Sequence, residues 1–250
     1  AARTRLLDEF GKRTGRAAAV SQTSGHAGGH AIAGLMREAS GAVRALLDWY
    51  GMEARALPWR APPGAPRADP YRVWLSEIML QQTTVAAVRP RFERFLARWP
   101  TVETLAEAEE ADVLSEWAGL GYYARARSLV RAARQMAAAG FPGDAAGWRM
   151  LPGVGDYTAA AVAAIALGEA AVPVDANIAR VGARLFAADL TRPVLAARLL
   201  ALLPDGRAGD FAQALMDLGA RICTPRAPRC GACPLAAGCA ACAAGEPERW

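Results

Sequence analysis

Lysine is almost missing from this sequence: of 29 Lys and Arg residues, Lys12 alone is a lysine. Arginine stays protonated and cannot serve as an amine nucleophile, so covalent chemistry through a lysine amine is excluded beyond residue 12. Histidine is scarce too, and both copies, His26 and His30, sit in a Gly-rich stretch from about Lys12 to Ser40. That composition is a solvated tail's, and no metal role is assigned to either histidine. Alternating strand patterns are absent apart from the short Ala171 to Val174, which leaves little from which to build a sheet. No apolar run reaches the roughly 20 residues that a bilayer span requires. The longest Ala-rich run, Thr158 to Leu167, is closed by Gly168-Glu169. The start, Ala1-Ala2-Arg3-Thr4-Arg5, is followed by no apolar region or cleavage site and does not read as a secretory signal. The expectation is a cytoplasmic monomer with no membrane partner.

What the chain does have is alanine and leucine, within 250 residues that are 53% hydrophobic and 21% charged. Such a composition packs helices closely and suits an all-α fold with a substantial core. Helical patterns begin at Gly41 (Val43, Leu46, Leu47, Tyr50) and yield to Pro58 and the Pro-rich loop from Ala61 to Ala68. Asp69-Pro70 is a helix start, an N-cap acid followed by proline at the first helical position. Further helical stretches are predicted over Pro90 to Trp99, Val102 to Trp117, Ala124 to Ala139, Val194 to Leu203 and Phe211 to Ile222. The formal charge of +5 permits a polyanionic partner without requiring one.

All five cysteines come late, at 223, 230, 233, 239 and 242. A disulfide framework would be spread through a small secreted domain, so metal ligation is preferred. Cys223-x6-Cys230-x2-Cys233-x5-Cys239 places four thiolates in one Pro-stiffened loop able to surround zinc or an iron-sulfur cube. Zinc sites usually pair two Cys-x2-Cys knuckles, and here one close pair lies between two wider spacings, which favours the cluster. Cys242 is left over as a spare thiol.

Leu151-Pro152-Gly153-Val154-Gly155 separates two helices. Its glycines let the backbone approach a phosphate, and the N–H groups opening the next helix point at such an anion. A tight helix connection with no ligand explains the same pentapeptide. Glu77 lies mid-helix with Val73, Trp74, Leu80 and Gln81 on its own face. A carboxyl facing that surface is desolvated and suits a general acid, whereas an exposed edge position, or pairing with a nearby arginine such as Arg72, would leave it without a role. Asp175, after Val172-Pro173-Val174, reads as an N-cap whose second oxygen is free to face a cleft. Two carboxylates beside a phosphate-binding hairpin suit N-glycosidic cleavage, one protonating the leaving base and the other stabilising the sugar cation.

The hairpin, Asp175 beyond it and the Cys-x6-Cys-x2-Cys-x5-Cys loop together resemble the endonuclease III superfamily of helix-hairpin-helix DNA glycosylases. Within it, Leu57-Pro58-Trp59-Arg60, Trp74-Leu75-Ser76-Glu77-Ile78-Met79-Leu80-Gln81-Gln82-Thr83 and Gly119-Leu120-Gly121-Tyr122-Tyr123-Ala124-Arg125 resemble the adenine DNA glycosylases of the MutY type. The resemblance covers roughly Val43 to Cys239. It implies two helical subdomains flanking a DNA-binding cleft: a six-helix barrel over 69–174 and a discontinuous iron-sulfur subdomain from 41–68 and 175–242. A flexible tail over 1–40 and a C-terminal tail over 243–250 complete that division.

The resemblance also implies roles. Glu77 matches the acid that protonates adenine N7, and Asp175 the carboxylate that stabilises or transiently bonds the oxocarbenium ion, with Tyr157 and Asn177 supporting the same sugar. Arg55, Trp59, Arg60 and Gln213 match positions around the flipped-out adenine. Gln82, Thr83, Leu120 and Tyr122 match a wedge entering the duplex beside the opposing 8-oxoguanine or guanine. Gly153, Val154 and Gly155 match the phosphate-binding hairpin. Cys223, Cys230, Cys233 and Cys239 match the ligands of one 4Fe-4S cluster. The implied partner is double-stranded DNA with an A:8-oxoguanine or A:G mismatch.

Two departures stand out: Ala176 occupies a position where the family commonly has glycine, and the chain stops at Trp250 where typical members continue into a lesion-reading domain. Shallow discrimination between 8-oxoguanine and guanine is therefore expected. An endonuclease III type lyase needs a lysine after the hairpin, where this chain has Tyr157. A thymine or uracil mismatch glycosylase would share the hairpin, Tyr157 and Asp175 but give Glu77 no role. A non-catalytic DNA-binding iron-sulfur protein would need neither carboxylate.

Overall fold

The computed structural model describes residues 27–250, with side chains from residue 40 onward. Of the expected tail, residues 1–26 and with them His26 lie outside the described residues. The rest of it is helical, because α1 runs over Ala27–Glu53. Gly28, Gly29 and Gly34 each cost a helix about 1 kcal/mol relative to alanine. Extending an existing helix from the packed turns after Val43 is nonetheless easier than nucleating a new one.

Two compact units divide the chain, one formed by 55–173 and the other by residues up to Ala54 together with Val174–Trp250. Residues 55–68, expected with the cysteine segment, belong instead to the first of these. The physical reason is Trp59, which is buried and packs edge-on against Phe92 at 5.2 Å between ring centroids.

The 55–173 unit is built on α2 (Pro70–Leu80), with every residue from Val73 to Met79 buried. Asp69 caps it as the sequence predicts, its carboxylate accepting from the Tyr71 N–H at 2.7 Å. α3 (Val85–Arg98) starts more than a turn before the predicted Pro90, because the Thr84 hydroxyl accepts from the Ala87 N–H at 3.3 Å and caps it there. Pro90 then sits inside the helix, one backbone hydrogen bond short. The single stretch predicted from Val102 to Trp117 is two helices, α4 (Val102–Ala106) and α5 (Glu110–Glu116). α6 (Ala124–Ala139), α7 (Ala145–Arg149) and α8 (Asp156–Val162) follow, and α8 loosens into a π-helical turn over Ala163–Leu167. Trp99, Trp117 and Phe95 pack together in the core, with Phe95 to Trp99 centroids 4.6 Å apart.

The other unit combines α1 with α9 (Ala176–Phe186), α10 (Arg192–Leu202), α11 (Ala208–Arg221) and the cysteine segment, which ends in α12 (Ala240–Ala243). α9 and α11 approach closely because Gly219 has no side chain: a Cβ there would lie 2.6 Å from the Asn177 Cβ. Residues 243–250 are not a free tail, since Pro247–Arg249 form a 3-10 turn and the Trp250 carbonyl accepts from Arg184 Nε at 3.1 Å. Among the described residues there is no strand, and Ala171 to Val174 has no regular secondary structure. No described helix is long and apolar enough to cross a membrane.

Candidate active site and metal centre

In the 55–173 unit, Glu77 is 6% exposed on α2, flanked by fully buried Trp74 and Met79. The exposed-edge alternative is thereby removed, because a carboxyl held on so apolar a helix is withdrawn from water. One turn on, Gln81 Nε2 donates to Thr158 Oγ1 at 3.4 Å, joining the end of α2 to α8.

The hairpin before α8 is fixed from within. Leu151 and Val154 are buried, and the Val154 N–H closes the turn on the Leu151 carbonyl at 3.1 Å. Gly153 has φ +79°, and a Cβ there would also meet the Ser128 Cβ at 2.8 Å. Glycine is thus required twice, by conformation and by space. Gly155 is the exposed N-cap of α8, and Asp156 just inside the helix pairs with Arg149 at 2.8 Å. Tyr157 is half-buried against the core.

The remaining matched residues of this unit divide by exposure. Gln82 and Tyr122 are exposed and left-handed, with φ 56° and 50°. Thr83 is half-buried and donates through its N–H to the Leu80 carbonyl at 3.3 Å. Leu120 and Trp59 are buried, each 5% exposed, so Leu120 anchors the loop from which Tyr122 projects. Arg55 and Arg60 are half-buried beside Trp59 in sequence.

In the other unit, Asp175 caps α9, its Oδ1 accepting from the Ile178 N–H at 2.7 Å and its Oδ2 from Asn177 Nδ2 at 3.1 Å. Asn177 is held in turn, its Oδ1 accepting from Arg180 Nη2 at 2.9 Å. Arg180 then donates to the carbonyls of Gly219 at 2.7 Å and Cys223 at 2.8 Å. A continuous hydrogen-bond chain therefore runs from the Asp175 carboxylate to the first cysteine. Gln213 on α11 is 5% exposed; its Nε2 donates to the Gly209 carbonyl at 3.2 Å, while its Oε1 is buried without a partner.

All five cysteines line one pocket, together with Arg184, Ile222, Pro228 and Arg229. Burial pushes the Cys233 thiol up to about 12 and raises Cys239 and Cys230 above the ordinary thiol range. Thiolates crowded into such a pocket need a cationic centre to carry their charge. Thiols at 223, 230, 233 and 239 on the wall of one pocket are a donor set that fits an iron-sulfur cluster. Cys242, read as spare, lies on the same pocket wall.

Two arginines were given no role by sequence reasoning. Arg184, 2% exposed, donates to Cys223 Sγ at 3.4 Å, to the Thr224 carbonyl at 2.6 Å and to the Pro225 carbonyl at 3.0 Å. The readable signal was its spacing, since Asn177, Arg180 and Arg184 fall on one face of α9. Arg125 bonds four backbone carbonyls, those of Ile78, Met79, Leu120 and Gly121. No periodicity announces it.

Residues 75–204 match the family described as HhH-GPD superfamily base excision DNA repair protein, and residues 223–239 match the iron-sulfur binding domain of endonuclease III. The chain is 41% identical over 233 residues to an adenine DNA glycosylase of Arabidopsis thaliana, covering 82% of this chain and 37% of that protein. It is 42% identical over 214 residues to an adenine DNA glycosylase of Homo sapiens, covering 78% and 38%. It therefore spans less than half the length of these relatives. Among solved structures, a thermostable thymine-DNA glycosylase aligns with a TM-score of 0.73 at 30% identity, over 81% of this chain and 95% of that one.

Proposed function

The chain belongs to the HhH-GPD superfamily of base excision DNA repair proteins, and from that membership we propose that it is a monofunctional glycosylase hydrolysing the N-glycosidic bond of adenine opposite 8-oxoguanine or guanine. The observation that carries the choice of adenine is Glu77, a carboxyl on a buried helix where a thymine-specific enzyme would have no use for one. Glu77 delivers its proton to the base, and the glycosidic electron pair leaves with the adenine. Asp175 stabilises the cation left on the sugar, water adds at C1′ and gives up a proton, and the products are free adenine and an abasic site. Tyr157 and Asn177 support the sugar, and Asn177 does so while bonded to the Asp175 carboxylate. The unpartnered Gln213 Oε1 is an acceptor suited to the exocyclic amine of adenine. Arg55, Trp59 and Arg60 serve the base in the same reading, and the Gly153-Val154-Gly155 backbone receives a phosphate.

Residues 223–239 are an iron-sulfur binding domain, and the cofactor is one 4Fe-4S cluster. In our reading Cys223, Cys230, Cys233 and Cys239 hold it. When bound, it ties down the DNA-facing loop that carries Arg226 and Arg229, whose charges suit phosphates. The protein acts as a monomer on duplex DNA in the cytoplasm.

Three duplexes test the proposal, carrying adenine opposite 8-oxoguanine, adenine opposite guanine, and thymine opposite guanine. Scission of the adenine strand in both adenine duplexes, appearing only after alkali, is expected. Release of thymine would transfer the assignment to the mismatch thymine class. Strand cleavage at neutral pH would defeat the monofunctional reading, since no lysine follows Lys12.

A further inference from the structure

Arg125 is the second residue of α6, and its guanidinium joins two segments distant from each other in sequence. Nη1 donates to the carbonyls of Ile78 at 2.8 Å and Met79 at 3.2 Å, in the last turn of α2. Nη2 donates to the carbonyls of Leu120 at 2.9 Å and Gly121 at 3.1 Å. Carbonyls at a helix end have no partner within the helix, and the cation also suits the negative end of its dipole. Only a planar fork has the donors to hold both segments at once; a lysine ammonium has three hydrogens around one point. The guanidinium also lies 5.6 Å from the Tyr122 ring centroid and 5.3 Å from that of Trp117, whose Nε1 donates to the same Gly121 carbonyl at 3.0 Å.

Just beyond each tied segment stands a non-glycine residue in the left-handed region, Gln82 with φ 56° and Tyr122 with φ 50°. Such conformations persist where surrounding structure over-determines them. Here the restraint common to both is Arg125. We propose that Arg125 is a positioning residue that fixes the spacing between Gln82 and Tyr122, and so sets the shape of the element that enters the duplex beside the opposing base. This rests on reading Gln82 and Tyr122 as that element. Because Ile78 directly follows Glu77, the same bonds hold the end of the helix that carries the acid.

The test uses Arg125→Met and Arg125→Lys in the full chain, each in the native and the Tyr122→Ala background. Circular dichroism reports folding, and a duplex with 2-aminopurine beside the opposing base reports insertion by fluorescence. Misplacing a group by about 1 Å costs up to about 100-fold in rate. Arg125→Met is therefore expected to slow single-turnover adenine release by about tenfold or more and to diminish the fluorescence change. Arg125→Lys should fall between Met and wild type. In the Tyr122→Ala background the effect of Arg125→Met on fluorescence should largely vanish, since the positioned side chain is gone. An unchanged fluorescence response in folded Arg125→Met protein, or equal effects in both backgrounds, would overturn the proposal. If Arg125→Met does not fold, Arg125→Lys carries the same two comparisons. If wild-type protein releases no adenine, the functional reading fails, and the fluorescence cycle still decides the role of Arg125.

Discussion

Replacing Asp175 by asparagine and by alanine separates the two roles its carboxylate plays. One oxygen accepts from the Ile178 N–H at 2.7 Å and caps α9; the other accepts from Asn177 at 3.1 Å and is the one to which the proposed function gives the sugar cation. Asparagine is as good a cap as aspartate but turns a donor toward Asn177 where an oxygen accepted, so Asp175→Asn should lose less stability than Asp175→Ala, which forfeits that bond and ~1 kcal/mol of capping as well. The reaction distinguishes the residues differently, because an amide cannot stabilise a sugar cation by charge. Removing one preorganised electrostatic partner costs a rate of about 10² to 10³, and both variants should lose at least that much. Equilibrium denaturation in urea gives the first comparison, and single-turnover release from the A:8-oxoguanine duplex gives the second. The pattern sought is asparagine the more stable of the two variants yet inactive, with alanine deficient in both. Near-normal turnover by Asp175→Asn would reduce the residue to a cap, and equal destabilisation by the two substitutions would refute the capping argument.

Glu77→Gln keeps the shape of the side chain but removes the proton, so adenine release should be abolished while affinity for the mismatched duplex, measured by gel shift, stays close to wild type. Arg184→Met leaves a thiol and the carbonyls of Thr224, Pro225 and Trp250 without their donor. At about 1 to 3 kcal/mol for each unsatisfied buried group, iron per chain and visible absorbance should both fall, and unchanged iron content would contradict a holding role. Gly153→Ala forces a φ of +79° on a residue whose Cβ would meet Ser128. It should weaken binding to matched and mismatched duplexes alike, and a loss confined to the mismatch would show that the hairpin does more than hold phosphate.

The parts of the fold that were legible in the sequence are those written locally. Asp69-Pro70 and Asp175 announced helix starts because capping depends on neighbours within three residues, and the span of α6 followed from its apolar period. The break between α4 and α5 was hidden because the apolar spacing of Val102, Leu105, Val113 and Trp117 continues across it while the backbone turns. Glu77 could be read as buried or exposed until the packing around α2 decided it. Arg125 closes a motif that was legible, but what it holds was beyond reach, since its bonds to Ile78 and Met79 span 47 and 46 residues. Periodicity says which face a residue occupies; it does not say which distant carbonyls wait there.

The interrupted unit has a consequence for how the chain is made. α1 packs against α10 and α11, which lie on the far side of the whole 55–173 segment. As the chain leaves the ribosome, α1 emerges before its partners and waits through the synthesis of the intervening unit, which has all its own core residues in one unbroken stretch. The order of completion is therefore the reverse of the order of appearance. The unit bearing Glu77 can close first, and the unit bearing Asp175 only when the cysteine segment, which is made after both, arrives to receive Arg180 and Arg184.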